Sequence, residues 1–340
     1  MINSRSFRFL TGIRSFSSSS SVMSSPRHLL SISDLSPAEL ERVVDRAGEY
    51  RELIKSKGLS STAENLPLLG HTVALMFSKR STRTRVSSEV AVNYLGGHPM
   101  FLGKDDIQLG VNESLYDTGR VISSMTSCMV ARVGPHSDIA GLAAASSVPV
   151  INALCDSYHP LQAIADMLTI KIAFKSVKGL KFAWVGDANN VLNDSTHACA
   201  KLGINVSIAT PEMYPVDEAH FNKVKASAAI SGSTVEISHD PKTAVRDADV
   251  IVTDTWVSMG QESEKQARLA QFKGFKVTSE MASEASDEWK FMHCLPRKQE
   301  EVSDEVFYSD RSLVFDEAEN RLYAMLAALE AFVAKKGVIM

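Results

Sequence analysis

From residue 72 onward the chain alternates short apolar runs with stretches of helical periodicity, and it does so twice. The first series predicts strands at 72–77, 98–102, 129–132 and 148–153, with helices at 81–95, 114–126, 137–146 and 159–174. The second predicts strands at 181–185, 205–210, 234–239, 250–255 and 290–294, with helices at 191–202, 217–229 and 241–248. Neighbouring parallel strands need long crossovers, and helices in those crossovers cover both faces of the sheet. The pattern therefore specifies an α/β protein of two domains, each a parallel sheet flanked by helices. At 340 residues, 44% of them apolar, the chain has material for two cores.

The segments outside the alternation are also informative. Ser36-Pro37-Ala38-Glu39 is a capping box with proline at the first helical position, and it predicts a helix running to about Lys57. Lys175 to Gly179 reads as the break between the two series, so helix 159–174 bridges the domains. A last helix, 320–336, places Leu322, Met325, Leu326, Leu329 and Val333 on one stripe. The first 25 residues differ in kind: they hold Arg5, Arg8 and Arg14, no acid, and a serine run from Ser17 to Ser21. Phe7, Leu10, Ile13 and Phe16 fall near helical spacing opposite the arginines, the composition of an organelle transit peptide, with mitochondrial ahead of plastid. A disordered tail is the alternative. Loss of residues 1–25 removes three positive charges and no negative ones, taking the net charge from -4 to -7.

Charge and cysteine usage exclude several classes. The near-neutral balance and the lack of a long basic run give no argument for nucleic acid. No apolar run reaches the length needed to span a bilayer, so no membrane partner is expected. Cys128, Cys155, Cys199 and Cys294 lack C-x-x-C spacing and read as reduced thiols, with no metal site indicated. Neither G-x-G-x-x-G nor G-x-x-x-x-G-K-[ST] occurs, which counts against nicotinamide enzymes and P-loop kinases.

Ligands of open parallel sheets bind at the carboxyl ends of strands, so the residues just past each strand were inspected for polar side chains. Ser81-Thr82-Arg83-Thr84-Arg85 follows the first strand and opens a helix. A helix start offers unpaired N–H groups, and Arg83 adds a planar fork that matches phosphate oxygens two at a time. Alone, the stretch also fits a capped helix with solvated arginines. Arg132 follows the third strand, Asn152 lies near the end of the fourth, and His159 and Gln162 share a face of the next helix's first turn. A structural role stays open for each of these. In the second series, Gly186 to Asn190 forms another helix start after a strand, and Asp254 sits at a strand tip before Ser258-Met259-Gly260. His293-Cys294-Leu295-Pro296-Arg297 ends a further strand with a thiol beside a histidine, without any protease-type signature.

STRTR, HPLQ, DTWVSMGQE and HCLPR, in this order, resemble the motifs of the ornithine carbamoyltransferases, from about residue 28 to the end. STRTR and HPxQ mark carbamoyltransferases in general, while the SMG loop and Cys294 point to the ornithine branch. The aspartate branch normally has proline where Cys294 stands and lacks the SMG loop.

The resemblance implies a carbamoyl phosphate-binding domain at 28–165 and an ornithine-binding domain at 166–318. It also implies a C-terminal helix, 319–340, returning to the first domain, and an active site in the interdomain cleft. It implies that Ser81, Thr82, Arg83 and Thr84 hold the phosphate. Arg132, His159, Gln162 and Arg321, with the backbone at Cys294 and Leu295, would bind the carbamoyl group; Asn190, Asp254, Ser258 and Met259 would orient ornithine. Arg132, His159, Asp254 and Cys294 are the expected catalytic residues. Family members are homotrimers in which a neighbour completes the phosphate site from a segment matching Asp106 to Gly110, where this chain carries Gln108. No metal or organic cofactor is implied, and a mitochondrial matrix location follows from the leader. Three other readings compete: a carbamoyltransferase for N-acetylornithine or putrescine, an idle homologue serving as a regulatory subunit, and an α/β oxidoreductase. The intact SMG segment argues against the first; the retention of Arg83, His159 and Cys294 argues against the second; the missing glycines argue against the third.

Overall fold

The computed structural model describes residues 25–58, 66–107, 113–257 and 262–339. The expected leader (apart from Ser25), Gln108, Ser258 and Met259 lie outside them. In the first half, α1 (Pro37–Lys57) precedes β1 (Thr72–Phe77), α2 (Thr82–Tyr94), β2 (His98–Gly103), α3 (Leu115–Met125), β3 (Cys128–Arg132), α4 (His136–Ala145) and β4 (Val150–Leu154). The bridging helix α5 (Pro160–Phe174) leads into β5 (Lys181–Val185), α6 (Asn190–Lys201), β6 (Asn205–Ala209), α7 (Glu218–Ser231), β7 (Val235–Ser238), α8 (Pro241–Val245) and β8 (Val250–Val252). After these come α9 (Lys265–Gln271), α10 (Ser279–Ala282), β9 (Lys290–Met292), α11 (Asp304–Phe307) and α12 (Val314–Leu329), continued by a wider turn over Glu330–Ala334.

Two parallel sheets result, ordered β2-β1-β3-β4 and β7-β6-β5-β8-β9. The inner strands are buried on both faces and read as continuous apolar runs, whereas the edge strands β2 and β7 are partly exposed. Ala74, Met76, Met129 and Ala131 face a core closed by Ile139 and Leu142 of α4, while Val73, Leu75 and Val130 face the opposite way. That second face merges with the second sheet through Leu161, Ile164 and Leu168 of α5, Leu192 of α6, and Leu326 and Leu329 of α12. One apolar core therefore runs through both halves and fixes them around three helices.

Ser36 caps α1 with its Oγ, and Glu39 reaches back to the Ser36 N–H, completing the predicted capping box. The final helix begins at Val314, earlier than the expected 320. Leu313 stands at its N-cap with no side-chain hydrogen bond, so no polar start signal marks the true beginning. Helix α8 stops at Val245 rather than 248, because Asp247 takes a φ of 56° and donates its N–H to the Glu284 carbonyl. Strands β8 and β9 also end early, at Val252 and Met292 instead of 255 and 294. The residues released, Thr253 to Thr255 and His293 to Cys294, leave the sheet and enter the cleft.

Candidate active site

The carboxyl ends of the two sheets meet in a cleft bordered by α2, α5, α6 and α12. On its first side, Ser81 caps α2 by accepting the Thr84 N–H at 3.3 Å, so Thr82, Arg83 and Thr84 form the first helical turn. Arg132 is the last residue of β3 and is buried. His159 stands at the N-cap of α5, also buried, and its backbone N–H donates to Asp194 Oδ2 at 2.8 Å. Arg321, from α12, donates from Nη1 to Gln162 Oε1 at 2.7 Å and from Nη2 to Thr84 Oγ1 at 3.3 Å. The sequence thus brings four separate segments to one point.

Arg132 Nε, Arg321 Nε and His159 Nδ1 are buried and have no hydrogen-bond partner among the described residues. Polar atoms left unpaired in the interior are costly, so three of them around one cleft, two of them guanidinium donors, mark a place built for a polar ligand. The electrostatics agree. Burial, aided by the Arg83 charge, lowers Arg132 to about 10; burial, aided by Arg132, lowers Arg321 to about 10. Burial and the same three guanidiniums hold His159 well below the usual histidine range, so it stays neutral and can donate without adding charge. A polyanion relieves the mutual repulsion of this cluster.

The opposite side is built from the second sheet. After β5, Gly186 takes a φ of 150°, and Trp184 Nε1 donates to the Asp187 carbonyl at 3.0 Å, fixing the turn. Asn189 caps α6 with Oδ1 and donates from Nδ2 to Asp254 Oδ2 at 2.7 Å. Asn190 donates from Nδ2 to the Cys155 carbonyl at 2.5 Å, across the cleft floor. Cys294 Sγ lies 3.0 Å from Asp254 Oδ1, with its hydrogen directed to the carboxylate. Leu295, at a φ of 60°, gives its N–H to His293 Nδ1 at 2.9 Å, and its carbonyl accepts from Arg83 Nη2 across the cleft.

His293 Nε2 faces Glu301 Oε2 at 3.1 Å, so both ring nitrogens have partners other than the sulfur. Burial, with the charge of Asp254, pushes the Cys294 thiol well up, the opposite of what a nucleophile needs. Cys294 is therefore a neutral donor.

Gln162 is fully engaged in this state. Its Nε2 donates to Asp166 Oδ1 and to Glu317 Oε1, both at 2.8 Å, while Oε1 accepts from Arg321. Asp166, Glu317 and Asp194 do not stand out in the sequence, while Asn189 lies in the helix start read at Gly186 to Asn190. Asp166 and Glu317 carry a signal: each is an acid four residues from a site residue, Gln162 or Arg321, on a largely buried helix. Asp194 carries none beyond proximity to Asn190.

A two-domain α/β enzyme with a preformed anion site at the sheet ends, facing a carboxylate and a neutral thiol, has the layout of a group-transfer enzyme acting on an anionic donor. Residues 27–172 match the carbamoyl-P binding domain of the aspartate/ornithine carbamoyltransferases, and residues 178–332 match their Asp/Orn binding domain. The chain belongs to the aspartate/ornithine carbamoyltransferase family. It is 59% identical over 345 residues to the mitochondrial ornithine carbamoyltransferase of Coccidioides immitis, covering 96% of this chain and 98% of that protein. It is 58% identical over 316 residues to the mitochondrial enzyme of Schizosaccharomyces pombe, covering 93% and 97%. The crystal structure of the Coccidioides immitis enzyme matches with a TM-score of 0.86 over 93% of this chain and 100% of that one, at 59% identity. Ornithine carbamoyltransferase from Pyrococcus furiosus matches with a TM-score of 0.86 at 43% identity, over 92% and 98%.

Proposed function

We propose that this chain transfers the carbamoyl group of carbamoyl phosphate to the δ-amine of L-ornithine, giving L-citrulline and phosphate. The observation that carries the reading is the set of unpartnered buried polar atoms, Arg132 Nε, Arg321 Nε and His159 Nδ1, opposite the Asp254–Cys294 pair. Ser81, Thr82, Arg83 and Thr84 hold the phosphate at the start of α2. Arg132, His159, Gln162 and Arg321, with the backbone of Cys294 and Leu295, bind the carbamoyl group and stabilise the oxyanion that forms on its carbonyl. Arg83 then exchanges the Leu295 carbonyl for the phosphate, which frees that carbonyl to accept from the carbamoyl NH2. Asn190, Asp254, Ser258 and Met259 orient ornithine. The δ-amine attacks the carbonyl carbon, its C–N bond forms, the C–O bond to phosphate breaks, and the amine proton passes to the departing phosphate. No cofactor enters the step.

The amine must be neutral to attack, yet an alkyl ammonium of this kind has a pKa of about 10.4 in water. Three guanidiniums facing the carbamoyl carbon disfavour the δ-ammonium, while Asp254 favours the charged α-ammonium at the other end of the molecule.

The working unit is a homotrimer in which the neighbour's Gln108 completes the phosphate site. The exposed Leu69, Val86, Met100, Tyr116, Val121 and Met125 of the first half, and the free edge of β2, support that reading. The domain division is 28–165 and 166–318, with 319–340 returning to the first domain, which the packing of α12 on α1, α2 and α5 supports. A mitochondrial location, in the matrix, agrees with the leader's composition and with the names of the relatives.

Citrulline formation from carbamoyl phosphate with L-ornithine, N-acetylornithine, putrescine or L-aspartate tests the reading. Turnover with ornithine alone is expected. Turnover with another amine contradicts the role given to Asp254, and no turnover with any contradicts the activity.

A further inference from the structure

We propose that Asp166 and Glu317 hold one proton between them, and that the single negative charge left on the pair positions Gln162 and Arg321 for the carbamoyl carbonyl. The two acids are positioning residues, and the inference rests on the reading of Arg321 as a carbamoyl ligand.

Both carboxyls are buried, and both accept from one amide nitrogen, so the two acids stand side by side where two full negative charges would repel. Each of their four oxygens accepts one hydrogen bond. Asp166 Oδ1 and Glu317 Oε1 accept the two hydrogens of one amide, Gln162 Nε2, each at 2.8 Å. Asp166 Oδ2 accepts from Ser195 Oγ at 2.6 Å, and Glu317 Oε2 accepts the His293 backbone N–H at 2.9 Å. The amide oxygen of Gln162 then has one orientation available, toward Arg321 Nη1 at 2.7 Å. An amide held at three atoms cannot flip, so the guanidinium it receives is held as well.

Charge points the same way. Among the described residues, the groups that act on the pair are the Arg321 cation, the Asp254 carboxylate, the Cys199 and Cys294 thiols, and His293, whose backbone N–H Glu317 accepts. One cation in a dry interior matches one anion, and a second anion there is costly. Burial pushes Asp166 up to about 6 and Glu317 well above the carboxylate range. Both shifts favour a proton held by the pair near neutrality. Because Glu317 also holds the His293 N–H, the pair ties the carbamoyl ligands of α5 and α12 to the end of β9, one residue before Cys294.

The test is a cycle of Asp166→Asn, Glu317→Gln and the double variant in the full chain, with kcat, KM for carbamoyl phosphate, melting temperature and infrared absorption as readouts. Each single amide leaves one carboxylate and one N–H donor, so kcat/KM for carbamoyl phosphate is expected within about fivefold of the parent. The double variant removes the charge and is expected to lose about a hundredfold or more, beyond the product of the single effects. The infrared band of a protonated carboxylic acid, present in the parent near pH 7, is expected to shrink in both single variants. A single variant that falls as far as the double overturns the proposal. So does a double variant equal to the product of the singles, or an acid band unchanged in Glu317→Gln. If Arg321→Lys leaves the carbamoyl phosphate KM unchanged, the underlying reading of Arg321 fails and the proposal with it; if Arg321 is sensitive and the cycle fails, the proposal alone is lost.

Discussion

The thiol of Cys294 donates to the carboxylate of Asp254, Sγ to Oδ1 at 3.0 Å, and so joins the end of β9 to the end of β8. With Asn189 on the other oxygen at 2.7 Å, Asp254 is held at two points before any substrate arrives. An ornithine ammonium meets an acceptor already aimed, so little side-chain freedom is lost on binding.

Serine at position 294 keeps a donor for Asp254, whereas alanine leaves Oδ1 without one. Cys294→Ala is expected to raise the ornithine KM about tenfold, roughly the worth of one hydrogen bond to a charged group, and Cys294→Ser distinctly less. Steady-state kinetics with ornithine varied measures both. Equal losses in the two variants show that the donor to Asp254 is not what matters.

Arg321→Lys replaces a rigid fork, shared between Gln162 and Thr84, by a single point charge. We expect kcat/KM for carbamoyl phosphate to fall by about 10²–10³, the range for losing one preorganised donor to a developing oxyanion. The ornithine KM should move far less, and initial rates with each substrate varied in turn decide it.

Activity should rise with pH from 6 toward 9. The sign follows from two groups. His159 is shifted downward, so it takes up a proton only well below 6.5 and contributes no loss of activity as pH falls from 9 to 6.5. The ornithine δ-amine, with a pKa of about 10.4 in solution, gains its neutral fraction as pH rises. A profile of kcat/KM for ornithine that is flat from 6 to 9 contradicts the account of how the neutral amine is obtained.

Asp194 joins α6 to the first half by accepting the backbone N–H groups of Ile32 and His159, at 2.9 and 2.8 Å. Asp194→Ala leaves both donors buried and unpaired, at a cost of about 2–4 kcal/mol. Calorimetry should show a melting temperature lower by several degrees. Because His159 loses its backbone anchor, kcat should fall too, and an unchanged kcat shows that α5 is fixed by its packing alone.

The two sheets, their order of elements and nearly every strand of the first half were legible because each strand is a short apolar run and each helix repeats at helical spacing. Ser36 and Ser81 marked their helices by cap chemistry that acts within four residues, which a sequence displays directly. Where the structure departs, the deciding contact is distant. Asp254 and Cys294 leave their strands to meet each other across 40 positions, and Val314 starts a helix without a capping side chain. Asp166 and Glu317 meet across α5 and α12, and no local pattern announces that two acids share one amide. Arg83, Arg132 and His159 stand out as residue types at strand ends or within motifs, whereas Arg321 enters through the family resemblance alone. That Arg132, His159 and Arg321 keep buried unpartnered polar atoms is a property of packing alone.

The most direct test of a cleft divided into a carbamoyl phosphate side and an ornithine side is calorimetric binding of carbamoyl phosphate, without ornithine, to the parent, Arg132→Ala and Asp254→Asn. The account predicts that Asp254→Asn binds within about threefold of the parent while Arg132→Ala weakens by about thirtyfold or more, as removal of a buried charge-assisted donor should. Loss of carbamoyl phosphate binding in Asp254→Asn to the same degree as in Arg132→Ala contradicts it.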